Sequence, residues 1–123
     1  MTPTEIITAD AQRNGVDPRL VLGSIKPDLV SKKATLIQSG DSVLVVKMIS
    51  KGIAELHLFT VEPIRTLIES IKEFISQIKQ SGIKTVYGNA DNEMILKILE
   101  SAGVPVMESD REGYNWKADV WAQ

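Results

Sequence analysis

Glu55 and His57 stand two residues apart in the run from Ile53 to Thr60, and Phe59 follows at the same spacing. In an extended chain successive side chains point to opposite sides, so these three share one face while Ala54, Leu56 and Leu58 share the other. A carboxylate and an imidazole on one strand face offer a base for an ammonium proton. General acid–base chemistry needs such a group within hydrogen-bond reach of the reacting proton. The same pattern also has an ordinary explanation, because the wet side of a one-sided sheet carries charged residues for solubility.

Composition removes other chemistries. With no cysteine in 123 residues, a disulfide framework, thiolate metal sites and thiol nucleophiles are excluded. One histidine leaves a zinc site dependent on carboxylates that show no ligand spacing, so no metal is expected. Fourteen basic against sixteen acidic residues give a net charge of −2, and Lys32-Lys33 is the only basic pair, which argues against nucleic-acid binding. A hydrophobic content of 43% without a membrane-length apolar run describes one soluble domain over residues 1–123 with no membrane partner. The opening residues Met1 to Glu5 carry neither a basic nor an apolar targeting region, so the expected compartment is cytoplasmic.

The elements that must position Glu55 and His57 are read from turn signals and periodicity. Thr2, Pro3 and Glu5 form a helix-start box, and Asn14-Gly15 closes that helix. Asp17-Pro18 starts a second helix, which Gly23 and Pro27 are expected to shorten or break near Ile25-Lys26. Residues 34–38, 42–49 and 53–60 are strand-like runs separated by Ser39-Gly40-Asp41 and Ser50-Lys51-Gly52, which predicts an antiparallel meander. The period then changes to 3.6, with Ile64, Leu67, Ile68, Ile71, Phe74, Ile75 and Ile78 on one helical stripe that Gly82 ends. A strand over 83–87 follows. Next come a helix from Asn89 or Asp91 that buries Met94, Ile95, Ile98, Leu99 and Ala102 and ends at Gly103, a strand over 104–108, and a last strand over 114–120. Trp116 and Trp121 fall on opposite faces of that last strand, one core and one exposed, and Met48, Met94 and Met107 take packing positions. Helical crossovers return the chain parallel and tight turns return it antiparallel, so the fold class is α/β with a mixed sheet flanked by helices.

The order β-β-β-α-β-α-β-β, with the stretch YGNADNEMILKILESAGV at 87–104 ahead of a strand pair, resembles the GNAT N-acetyltransferase superfamily over roughly residues 34–121. An Asn after a central strand and an apolar helix ending in Gly103-Val104 are its matching features. Short GNAT-like proteins of tailed phages are similar in size. The resemblance implies a cleft for acetyl-CoA or another acyl-CoA between the strands at 53–60 and 83–87. Pantetheine would bond to the backbone of Leu58, Phe59 and Thr60, with Arg65 and Asn89 or Asn92 at the cofactor's edge. It also places a strand carboxylate in the role of base, the place of Glu55, with His57 beside it.

Two departures accompany the resemblance. The glycine-rich phosphate loop is absent, since residues 60–65 read TVEPIR. There Pro63 removes an amide donor, and a Glu62 charge at about 5 Å from a pyrophosphate costs roughly 3 kcal/mol at an effective dielectric of about 20. Thr60 or Glu62 with Pro63 also make an ordinary helix start. The family's general-acid tyrosine falls at Leu99, an apolar core position, and Tyr87 and Tyr114 read as structural. Two functions follow. One is an acyl-CoA-dependent N-acyltransferase acting on a small-molecule or protein amine acceptor, with room for a homo-oligomer. The alternative is a non-catalytic GNAT-like binding module, for example a phage or host-interaction protein, that has lost the phosphate loop.

Overall fold

The computed structural model describes residues 1–90 and 93–121. Helix α1 (Pro3–Arg13) opens on the expected box: the Thr2 hydroxyl accepts from the Glu5 amide and the Glu5 carboxylate accepts from the Thr2 amide. Helix α2 (Pro18–Val30) starts where Asp17 caps the Arg19 amide. It does not break at Pro27, contrary to the sequence expectation. The bond that Pro27 cannot donate would run to the carbonyl of Gly23, and both residues are exposed, so that carbonyl stays open to solvent.

Strands β1 (Ala34–Ser39), β2 (Ser42–Ser50) and β3 (Ile53–Thr60) form the antiparallel meander. Helix α3 (Ile64–Gln80) then carries the chain back so that β4 (Thr85–Gly88) lies parallel to β3. Helix α4 (Glu93–Ser101) leads to the hairpin of β5 (Val106–Glu108) and β6 (Trp116–Asp119). Strand β6 inserts beside β4, giving the sheet order β1-β2-β3-β4-β6-β5. The chain is α/β, a mixed six-stranded sheet with four helices among the described residues. None of these helices is long and apolar enough to cross a membrane.

Alternation along the strands feeds two cores. Leu44, Val46, Ala54, Val86, Trp116 and Ala118 face α3 and α4, where they meet Leu67, Ile71, Phe74, Ile78 and Leu99. Val43, Val45 and Ala34 face the other way and pack with Ile6 and Ile7 of α1 and Ile25 of α2. Glu55, His57 and Phe59 therefore lie on the α1/α2 side, and the aromatic ring joins that core. Trp116 is core and Trp121 is 55% exposed, as their odd separation requires. The methionines depart from expectation: Met48, Met94 and Met107 are 46%, 59% and 47% exposed. Met48 sits at the irregular end of β2, Met94 in the first turn of α4 and Met107 on the edge strand, all outside the reach of the opposing layer. Ile95, expected inside, is also exposed at the same end of α4.

Candidate active site

The parallel pairing of β3 with β4 consists of Ile53 with Thr85, Ala54 with Val86 and Glu55 with Tyr87. Beyond that point β3 runs on to Thr60 while β4 ends at Gly88, so the strands part. A cavity of about 570 Å³ opens there, walled by Leu56, Leu58 and Phe59 of β3, Ile64 and Ile71 of α3 and Ile98 of α4. Trp116 forms part of its lining. Its indole lies against the backbone of Gly88, where a Cβ would come within 2.5 Å of the ring. Glycine is required at this place because of that close approach.

The β3 edge that faces the cleft is partly engaged. The Thr60 amide donates to Asp10 Oδ2 at 3.0 Å and its carbonyl accepts from Arg13 at 2.9 Å. In an antiparallel ladder alternate residues turn both backbone groups to the same side, so Leu58 shares Thr60's direction. The last β3–β4 pair is Glu55 with Tyr87, and among the described residues no strand lies opposite Leu58. Of the backbone groups expected to hold pantetheine, those of Leu58 face the cleft and those of Thr60 are held by α1.

His57 and Glu55 meet. His57 Nε2 lies 2.6 Å from Glu55 Oε1, and the second carboxylate oxygen accepts from the Tyr114 hydroxyl at 2.9 Å. His57 lines the cavity, whereas Glu55 stands behind it with a side chain only 19% exposed. Burial alone works to raise the Glu55 pKa. The hydrogen bonds from His57 and Tyr114, with the attraction of His57 and Lys47, outweigh burial and hold the carboxyl below its ordinary value. At neutral pH Glu55 is therefore a carboxylate that only accepts, so Nε2 carries the hydrogen and Nδ1 is left as the proton-accepting nitrogen. Tyr114 shows the matching shift: burial, then its bond to Glu55, raise its pKa and keep it a neutral donor.

Glu62 does not stand over the helix start. Its carboxylate accepts from the Ser42 hydroxyl and, at 2.7 Å, from Ser70, while its own amide is capped by the Thr60 hydroxyl at 3.0 Å. The N-cap of α3 is Pro63, and among the described residues no side chain caps the first amides of the helix. The expected Thr60 or Glu62 cap is thus absent, and the Glu62 charge is committed to the two serines. Arg65 is exposed in the first turn of α3 and is not among the lining residues. Asn89 lines the cavity, but its amide group donates to the Gly113 carbonyl and accepts from the Asn115 amide, clasping the β5–β6 connection to the end of β4. Asn92 lies outside the described residues.

Asp10 and Arg13 join the site without an expectation from the sequence, and Tyr114, expected to be structural, bonds to Glu55. Asp10 falls on the buried stripe of α1 with Ile6, Ile7 and Ala11, and a carboxylate at the i+3 or i+4 place of an apolar stripe is the signal that marks it. Arg13, one turn on, is ion-paired to Asp10 at 3.7 Å. Tyr114 has no such signal, because its contact with Glu55 spans 59 positions of chain. Among the described residues no cluster of side chains is arranged to hold a metal ion.

No protein-family model and no curated protein matches the sequence. Solved structures do. The chain superposes on an acetyltransferase of the GNAT family from Staphylococcus aureus with a TM-score of 0.63 at 11% identity, covering 95% of this chain and 90% of that one. It also superposes on a Bacillus subtilis acetyltransferase, whose structure is a complex with CoA, with a TM-score of 0.57 at 12% identity over 79% of this chain and 82% of the other. At such identities the likeness speaks for backbone arrangement, and with the splayed β3–β4 pair it establishes that this chain has the fold of the GNAT acetyltransferases.

Proposed function

We propose that the protein is an acyl-CoA-dependent N-acyltransferase in which His57 is the general base and Glu55 orients it. The observation that carries this reading is His57 in the wall of the β3–β4 cleft with one ring nitrogen held by a partly buried carboxylate and the other left to accept a proton. Acyl-CoA would supply an activated thioester. Leu58 offers backbone groups along the parted strand, the uncapped amides of α3 offer donors to an anion, and the apolar walls suit a pantetheine arm. Arg65, exposed beside those amides, adds positive charge. His57 takes the proton of the acceptor's ammonium group at Nδ1, on the side of the sheet that also carries Asp10 and Arg13. The free amine attacks the thioester carbonyl, the C–S bond breaks, the nitrogen gives its second proton to solvent as the amide forms, and His57 returns the proton it took to the departing thiolate, since among the described residues no tyrosine lines the cavity. The acceptor is an amine of a small molecule or a protein.

A non-catalytic module with this fold is the second reading. It is favoured by the missing glycine loop and by the hold of Asp10 and Arg13 on Thr60, which occupies backbone that a pantetheine arm would use. Thermal unfolding with excess acetyl-CoA separates the two. At a hundredfold excess over Kd a bound ligand adds about 2.7 kcal/mol, which raises Tm by several degrees in a domain of this size. An unchanged Tm at millimolar acetyl-CoA rejects the enzyme and leaves the module.

A further inference from the structure

The Glu55 carboxylate has two partners, and only one of them lines the cleft. We infer that Tyr114 is a positioning residue: by donating to Glu55 Oε2 it fixes the carboxylate so that Oε1 holds His57 in the Nε2–H tautomer, with Nδ1 available for the acceptor's proton. This inference rests on the proposed base role of His57 and adds a residue to that machinery from the connection between β5 and β6.

The geometry is specific. A carboxylate that served His57 alone would be free to turn about its last side-chain bonds and to bond through either oxygen. With Oε1 at 2.6 Å from His57 Nε2 and Oε2 at 2.9 Å from the Tyr114 hydroxyl, both oxygens are engaged from two directions and that rotation is stopped. Tyr114 is itself braced. Its ring packs on Tyr87 with centroids 5.6 Å apart and planes tilted by 47°. Tyr87 in turn donates to Asp110 Oδ1 at 2.8 Å, Lys117 donates to Asp110 Oδ2 at 3.0 Å, and the Arg111 guanidinium lies 5.1 Å above the Tyr87 ring. The chain of contacts thus runs from the β5–β6 connection through two tyrosines to the carboxylate behind the cleft. Lys47 of β2, ion-paired to Asp28 of α2 at 3.1 Å, contributes charge to the same carboxylate. Stability alone would be served by an apolar residue at position 114 packed on Tyr87; a hydroxyl aimed at the second oxygen of the histidine's carboxylate has a use for the imidazole.

His57 is the single histidine of the chain, so its ring nitrogens are read without assignment in a long-range 1H–15N spectrum. The experiment compares wild type with Tyr114→Phe at a pH where the imidazole is neutral. The expected result is a dominant Nε2–H tautomer in wild type and a mixture of the two tautomers in Tyr114→Phe. For turnover with an amine acceptor, kcat is expected to drop about tenfold with the KM for acyl-CoA unchanged, a part of the roughly 10²–10⁴ that a positioned base contributes. Unaltered tautomer proportions in folded Tyr114→Phe overturn the inference. If that variant does not fold, Asp110→Ala, which loosens Tyr87, decides in its place: a shifted tautomer ratio supports the inference and an unshifted one overturns it. The tautomer arm needs no CoA. A protein that fails to bind acyl-CoA but shows the tautomer change therefore refutes the proposed function and leaves the positioning by Tyr114 standing.

Discussion

At the scale of single residues, the division of labour between Glu55 and His57 follows from where each one sits. Two residues of separation on one strand predict a shared face, but they do not say which side chain reaches the cleft. The structure places His57 in the cavity wall and Glu55 behind it, so the imidazole is the group in reach of an acceptor. His57→Gln is expected to lower kcat by about 10²–10⁴ while leaving CoA affinity unchanged, as steady-state kinetics and calorimetric titration would show. Glu55 makes a separate prediction about stability. Its carboxyl titrates below its ordinary value in the fold, because the hydrogen bonds from His57 and Tyr114 outweigh the effect of burial. The stabilisation it supplies is thus present above the unfolded-state pKa and is lost as pH falls through the lower folded-state value. Denaturant unfolding of Glu55→Gln should show lower stability than wild type at pH 7, with the two proteins converging in acid. A constant gap across that range would contradict the assignment. Tyr114 reads as structural in the sequence because its contact with Glu55 lies 59 positions away, whereas Asp10 is visible as a carboxylate on an apolar stripe.

At the scale of elements, periodicity carried most of the fold. The 3.6-residue stripe of α3 and the two Gly-containing turns of the meander appear where they were expected, because each depends on neighbours a few positions apart. The errors sit where a local rule met a tertiary condition. Pro27 and Gly23 are expected to shorten or break α2, but both lie on its solvent side one turn apart, and the helix absorbs one missing bond. Met94 and Ile95 continue the apolar pattern of α4 yet stand at the mouth of the cleft, and periodicity cannot distinguish a cavity wall from a core. The parting of β3 from β4 depends on two contacts that variants can probe. Gly88→Ala drives a Cβ into the buried Trp116 indole and is expected to cost about 1–3 kcal/mol by chemical denaturation. Asp10→Ala leaves the Thr60 amide without its acceptor, for an expected loss of about 1–3 kcal/mol in the same measurement. Near-zero values for either would mean that these contacts do not set the shape of the cleft.

At the scale of the whole molecule, one topological fact organises the rest. A meander, a helical crossover and an inserted final strand put β3 and β4 side by side and parallel for three residue pairs and then let them separate. The order of elements made that arrangement legible in the sequence. Which backbone groups remain available in the opening was not legible, since that depends on α1 folding back to grip Thr60. The helix start of α3 is illegible for the same reason: Glu62 is drawn to Ser42 of β2 and to Ser70, further along α3, and the first amides of the helix have no side-chain cap among the described residues. The proposed activity requires that this opening accept the nucleotide-linked arm of CoA between β3 and the start of α3. Amide NMR of 15N-labelled protein titrated with CoA tests this most directly. The account predicts saturable shifts at Leu58, Arg65 and Thr66 with α2 unmoved, and an unchanged spectrum at millimolar CoA, or shifts confined to other elements, would contradict it.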